Sequence, residues 1–448
     1  MRFRLSTIGS YAKVQGGFAY KSKDFLDNGR FKVLKIKNVR FGIVDYEDTA
    51  YISKDIADKT ISYSTSEGDI LISMTGSGPN APQSLVGRVA RVWANEPKSW
   101  INQRVGRLIL KNINSIHSDF LYYVFLLKSS QEFLVSNSSG SANQANISGK
   151  LIESLPCPDV NYEQSKKISR ILKSLDEKII LNNKTNETLE KLAQALFKSW
   201  FVDFDPVKAK EKLKQEGGDL DLIAKELGMS KEILELFPDE FQESDLGIIP
   251  KGWELKPLYE TAEYINGSSF KAKDFSDKNE GLPIIKIAEL KQGISAGTKF
   301  TLNDIKSKYF IDSGDVLYSW SGSPETSLEV FKWHGGKGWL NQHIFKLNFD
   351  SLQQRNFTYF LLKQIKPLLI STAKQKQTTG LGHITVADMK RIKITYPDND
   401  VLKKFSEQIN PLYERSSKLI EETGTLTKLR DALLPKLLSG EITFKGQT

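Results

Sequence analysis

Gly17-Phe18-Ala19-Tyr20-Lys21-Ser22-Lys23-Asp24-Phe25 returns 250 residues later as Gly267-Ser268-Ser269-Phe270-Lys271-Ala272-Lys273-Asp274-Phe275, with five identities in nine positions. The matches continue in order. Leu34-Lys35-Ile36 falls on Ile285-Lys286-Ile287, and Gly68-Asp69-Ile70-Leu71 with Ser73, Gly76 and Ser77 falls on Gly314-Asp315-Val316-Leu317 with Ser319, Gly322 and Ser323. Asn102-Gln103 then meets Asn341-Gln342, and Ile147-Ser148 meets Ile384-Thr385. Each repeat runs to about 200 residues, too long for a solenoid unit and the size of a domain plus one further element.

That element closes each repeat. From Ile168 the seam positions step by four and three through Leu172, Leu175, Ile179, Asn182, Asn186, Leu189, Ala193, Leu196 and Trp200, a heptad pattern interrupted by two asparagines. Shifted by 237 residues, Phe405, Ile409, Leu412, Ser416, Leu419, Thr423, Leu426, Arg430, Leu433 and Leu437 repeat it. The helices Lys166 to Phe201 and Leu402 to Leu438, rods of roughly 50 Å, are expected to pair with each other, with the central polar positions fixing register. The competing arrangement packs each helix on its own domain. Strand-like runs precede each helix: Val33 to Ile36, Asp69 to Ser73, Val86 to Trp93 and Arg104 to Leu110, then Pro283 to Ile287, Asp315 to Trp320 and His343 to Phe349. With short helices around Asp119 to Lys128 and Phe357 to Ile365, the expected class is α+β: two tandem globular domains, each followed by a long helix. Asp203 to Gly252 reads as the segment joining the repeats.

The chain has 448 residues, 39% apolar and 26% charged, which excludes general disorder. Its longest strongly apolar run, Phe120 to Leu127, falls far short of the roughly 20 residues that span a bilayer. Met1 to Lys13 lacks the apolar stretch of a secretory signal, so a cytoplasmic protein without membrane contact is expected. A single cysteine, Cys157, and four scattered histidines argue against a disulfide and a structural zinc site. The net charge of +9 is moderate for this length, and its placement says more. Arg30 to Arg40 carries Arg30, Lys32, Lys35, Lys37 and Arg40 with no acid, and Lys363 to Lys376 carries Lys363, Lys366, Lys374 and Lys376 with none.

No catalytic constellation emerges. Gly149-Lys150 is followed by Leu151 and lacks the upstream glycine of a phosphate-cradling loop. Gly76-Ser77-Gly78-Pro79-Asn80-Ala81 has dinucleotide-like spacing, but Pro79 and Pro82 deny it the required helix. Asp239 with Glu254 and Lys256 has the spacing of a metal-dependent nuclease site, a match that chance supplies in a chain this rich in acids and lysines. The chain reads as a binder with no metal of its own. A stand-alone nuclease and a protein scaffold without DNA contact are the alternatives.

The repeated loops carry recognition chemistry. Ser73-Met74-Thr75-Gly76-Ser77 and Ser319-Trp320-Ser321-Gly322-Ser323 put hydroxyls on glycine-containing loops, suited to phosphate oxygens or base edges. Gln103-Arg104 and Gln342-His343 bring side chains able to pair with base edges. Asn143-Gln144 and Lys374-Gln375-Lys376 occupy the same interval of the two repeats with different residues, as two sites reading different sequences would. Lys21, Lys23, Lys271 and Lys273 stand at matched positions, which suits backbone phosphate; Lys35 and Lys37 extend the first patch.

A longer motif now bears on identity. Leu192-Ala193-Gln194-Ala195-Leu196-Phe197-Lys198-Ser199-Trp200-Phe201-Val202-Asp203-Phe204-Asp205-Pro206-Val207, then Leu236-Phe237-Pro238-Asp239-Glu240-Phe241 and Leu246-Gly247-Ile248-Ile249-Pro250-Lys251-Gly252-Trp253, resemble the central conserved region of bacterial type I restriction-modification specificity subunits. The resemblance implies a first target recognition domain at 1–160, a first conserved helix at 161–202, a central connecting region at 203–250, a second recognition domain at 251–398, a second conserved helix at 399–440 and a tail at 441–448. It also implies an antiparallel coiled coil through Leu172, Leu175, Ile179, Asn182, Asn186, Leu189, Ile409, Leu412, Leu419 and Leu426. The implied partners are double-stranded DNA, two adenine-N6 methyltransferase subunits and restriction/translocase subunits, with one specificity chain per complex. S-adenosylmethionine, ATP and Mg²⁺ would sit on those partner subunits, none on this chain.

Overall fold

The computed structural model describes residues 3–78, 85–141, 144–376 and 381–443. The chain forms two units, Met1–Ile179 with Thr425–Thr448, and Ile180–Gly424. In the first, Ile70-Leu71-Ile72-Ser73 is buried at every position, as a short run apolar on both faces must be, and so becomes an interior strand. It lies in a four-stranded antiparallel sheet ordered Ala12–Gly16, Val105–Leu110, Ile70–Ser73, Val89–Arg91. A second sheet runs Ala50–Ile52, Phe31–Leu34, Ser99–Ile101, its last pair parallel.

The second unit repeats the plan. Val316–Ser319, again wholly buried, takes the same place in the antiparallel order Glu263–Asn266, Ile344–Asn348, Val316–Ser319, Glu329–Lys332. Leu282–Ile285 pairs in parallel with Gly338–Leu340. The strand expected to run on to Ile287 stops at Ile285, and Ile287–Gln292 is helical, capped by the Glu289 carboxylate on the Lys286 N–H at 3.0 Å. The short helices are Ser118–Leu126 in the first unit and Leu352–Gln364 in the second.

The matched glycines have a steric reason. A Cβ on Gly17 would lie 2.3 Å from the Asn102 carbonyl oxygen, and one on Gly267 would lie 2.1 Å from that of Asn341. Each glycine therefore lets one repeated segment close onto the other. Alanine at either position is expected to lower stability by about 1 to 3 kcal/mol, because the obstructing atoms are backbone. Urea unfolding of Gly17→Ala and Gly267→Ala checks this, and wild-type midpoints would contradict the close approach.

The long helices span Tyr162–Phe201 and Asn399–Ser439. In the first unit Arg430 Nη1 donates to Asp176 Oδ1 at 2.8 Å. In the second, Asn182 Nδ2 donates to Glu422 Oε2 at 2.9 Å and Ser416 Oγ donates to Asn186 Oδ1. In the second unit the numbers rise on one helix as they fall on the other, so the pairing there is antiparallel. The ten seam positions of each helix are all buried or half-buried. Packing on the domains also occurs: Tyr123 donates to Asp176 Oδ2, and Phe197 stacks edge-on against Phe405 while its ring centroid lies 5.4 Å from that of Phe357. The two arrangements weighed from sequence thus coexist. Pro411, Gly424 and Pro435 all lie inside the second helix without ending it.

The segment read as a joiner contributes to a core. It holds the helices Asp205–Glu216, Leu220–Glu226 and Lys231–Glu235 and the hairpin Phe241–Ser244/Gly247–Pro250. Phe237 and Trp253 are 2% and 3% exposed and pack with Trp200, Phe201 and Phe405. Aromatic burial of this size anchors the segment in the core.

Candidate nucleic-acid interface

Three segments separated in sequence meet at one end of the interior strand of each unit. In the first, Phe18 bridges Asn102, and the Gln103 N–H donates to the Phe18 carbonyl at 2.9 Å. The Met74 N–H donates to the Arg104 carbonyl at 2.8 Å, and the Ile147 N–H donates to the Met74 carbonyl at 2.9 Å. In the second, Ser268 bridges Asn341, the Trp320 N–H donates to His343 at 3.3 Å and the Ile384 N–H to Trp320 at 2.9 Å. The backbone frame is the same and the side chains on it differ.

In the first cluster Gln103, Arg104 and Gln144 are exposed. Gln144–Asn146 pairs with Ser139–Ser141 and with Thr75–Gly76, which carries Gln144 to the loop after the interior strand. Arg104 Nη1 lies 3.4 Å from Asn146 Oδ1, joining a guanidinium and an amide that both suit base edges. Asn143 and residues 79–84 lie outside the described residues. In the second cluster Ser321–Gly322 pairs with Gly382–His383, and Trp320 Nε1 donates to Asn266 Oδ1 at 3.1 Å. The Trp320 ring sits 5.6 Å from His343 and 6.4 Å from His383. Gln342 Nε2 is 3.2 Å from His343 Nε2. Burial holds the His343 imidazole below its usual pKa, so it acts at neutral pH as an uncharged donor and acceptor. Half-buried Trp320, Ser321, Gln342 and His343 are joined here by the exposed Ser323.

Several hydroxyls expected at the surface are inside. Ser73 and Ser319 are fully buried as the last residues of their strands, and Ser73 Oγ accepts the Arg88 N–H at 3.0 Å. Thr75 and Ser77 are 7% and 9% exposed. These four support the loops and do not present hydroxyls to a ligand in this conformation.

The lysines divide into two groups. Lys21, Lys23, Lys271 and Lys273 are exposed in identical turns, where the Lys21 N–H donates to Asp24 Oδ2 and the Lys271 N–H to Asp274 Oδ2, each at 2.7 Å. Lys35 Nζ lies 3.9 Å over the Phe25 ring and Lys286 Nζ lies 5.1 Å over Phe275. By contrast Lys37 is paired with Asp48, Lys374 with Glu325 at 2.5 Å and Lys376 with Asp388 at 2.6 Å, while Gln375 is exposed. Lys286 is legible in sequence as the match of Lys35. Asn146, Asn266 and His383 are not, because only strand pairing and packing bring them to the loops.

Of the nuclease pattern, Asp239 pairs outside it with Lys214 at 3.1 Å, while Glu254 pairs with Lys256, also of the pattern, at 3.4 Å. Among the described residues no group of three or more histidine, cysteine or acidic side chains is placed to hold a metal. No helix among them is long and apolar enough to cross a membrane.

The family model for the type I restriction modification DNA specificity domain matches residues 3–191 and 250–423, two segments that take in both loop clusters. The chain belongs to that family. It is 28% identical over 374 residues to the type I restriction enzyme HindI specificity subunit of Haemophilus influenzae, covering 75% of this chain and 80% of the relative. It is 26% identical over 348 residues to the MjaIX specificity subunit of Methanocaldococcus jannaschii, covering 76% and 72%. The crystal structure of a type I restriction-modification S subunit from M. genitalium superposes with a TM-score of 0.57 at 16% identity, covering 98% of this chain and 96% of that one, a likeness of fold. As a type I specificity chain, the protein recognises DNA sequence, and each of its two family segments supplies one of the clusters described above.

Proposed function

We propose that this chain reads a bipartite, asymmetric duplex site, one half with each loop cluster, and directs adenine-N6 methylation by two methyltransferase subunits and restriction by translocase subunits that join them. The chain itself supplies no catalytic group, and S-adenosylmethionine, ATP and Mg²⁺ belong to the partner subunits. One specificity chain serves each complex. The observation that carries this reading is the duplicated backbone frame bearing different side chains: Arg104 and Asn146 in one copy, Trp320, Gln342 and His343 in the other. Different donors on one frame suit half-sites of different sequence.

Two variants test the division of labour. Gln342→Ala with His343→Ala is expected to lose about 1 to 3 kcal/mol per good base contact and to relax preference in one half-site alone. Alanine at Lys21, Lys23, Lys271 and Lys273 is expected to weaken binding to all sequences and flatten the salt dependence. Binding of both variants, in complex with the methyltransferase subunits, to half-site panels across salt checks this. Equal loss at both halves for the Gln342/His343 variant would refute it.

A further inference from the structure

Each loop-bearing domain meets the helix pair at a buried polar node, and in both units the node reaches both helices. In the first unit Tyr123 donates its hydroxyl to Asp176 Oδ2 at 2.9 Å, and Arg430 of the other helix donates to Asp176 Oδ1 at 2.8 Å. In the second, Lys332 Nζ donates to Ser416 Oγ at 3.0 Å, and Ser416 Oγ donates on to Asn186 of the other helix. Tyr123, Asp176 and Ser416 are 0%, 4% and 2% exposed, and the Lys332 side chain is 3% exposed.

The repeat does not explain the nodes. Tyr123 is matched by Phe360, Asp176 by Tyr413 and Lys332 by Arg91, so the same three-body link is built twice from unrelated residues. Apolar seams tolerate small slides and rotations, whereas a buried polar atom that loses its partner is penalised in full. Buried polar groups of this kind serve placement better than stability.

We infer that Tyr123–Asp176–Arg430 and Lys332–Ser416–Asn186 are positioning residues, pins that hold each recognition domain in one placement on the helices and so confine its half-site to one spacing. The inference rests on the bipartite reading above.

The test uses complexes of the full chain with its methyltransferase subunits. They are assayed on duplexes that keep both half-sites and vary the spacer by single base pairs. Lys332→Met and Ser416→Ala should lower the ratio of methylation at the preferred spacer to that at its neighbours by about tenfold. The preferred bases of both half-sites should not change. Tyr123→Phe, which removes one hydroxyl and keeps the ring, should act the same way through the first node. An unchanged ratio in the Lys332 and Tyr123 variants would overturn the pins and leave bipartite recognition standing. So would a uniform loss at every spacer with a lowered melting temperature, the mark of a merely structural role. A wild-type complex that methylates no bipartite site would instead overturn the underlying reading.

Discussion

Asp119→Ala is expected to destabilise the protein by about 3 to 5 kcal/mol, the largest single-site effect that the fold suggests. Asp119 Oδ1 accepts from Arg91 Nε at 2.7 Å, and both side chains are 4% exposed. Lys173, on the first long helix, approaches the other carboxylate oxygen at 3.5 Å. Removing the carboxylate strands a guanidinium under the Trp93 ring, 4.6 Å from its centroid, with no acid to offset its desolvation. Replacing Arg91 and Asp119 together by leucine and alanine should recover much of the loss, because no uncompensated charge then remains. Denaturant unfolding of the single and double variants checks this, and a single-variant loss under 1 kcal/mol would contradict it.

The matched position in the second unit predicts the opposite sign. Strand register puts Lys332 where the first repeat has Arg91, and the residue matching Asp119 is the neutral Asn356. The nearest carboxylate, Glu190, is 3.9 Å away, and burial pushes the Lys332 ammonium down to about 8 from 10.5. Below pH 8 the lysine is charged in both folded and unfolded chains, so the cost of burying the charge is carried in full. Between about 8 and 10.5 only the unfolded chain keeps the proton, so this contribution to stability rises with pH and then levels. The shift corresponds to about 3 kcal/mol. Lys332→Met also loses about 1 kcal/mol with the hydrogen bond to Ser416, leaving a net gain of about 2 kcal/mol at pH 7. That gain should disappear by about pH 10. Parallel stability profiles for wild type and variant from pH 7 to 10 would show that Lys332 does not titrate in this window.

What the sequence discloses about this molecule follows from how local each signal is. The repeat and the heptad seams are legible because each is a pattern of residue types along the chain, and the pairing of the two helices follows from them, whereas sheet order joins residues far apart in sequence and does not. The central segment is not, since Phe237 and Trp253 acquire their meaning only against Trp200, Phe201 and Phe405. Ser73 and Ser319 mislead for a related reason: a hydroxyl at the end of a strand can face solvent or the interior, and only the packed sheet shows that both are buried. The glycines of the repeat could be located but not explained until the Asn102 and Asn341 carbonyls appeared beside them. Windows free of acids proved poor guides to free cations, because ion pairing is decided by the fold.

That last point changes what the net charge means. Lys37, Lys374 and Lys376 already hold the carboxylates of Asp48, Glu325 and Asp388, which act as tethered counterions that binding cannot release to solvent. A phosphate arriving there exchanges one anion for another and leaves a displaced carboxylate beside the DNA. The gain in ion entropy that usually drives association with a polyanion is therefore withheld at these positions. On the proposed reading, non-selective attraction falls to the matched lysines of the two turns, and the steepness of the salt dependence should count those rather than the surplus of +9. A protein that must ignore most of the duplex it meets is served by such muted, self-neutralised ground around its reading loops.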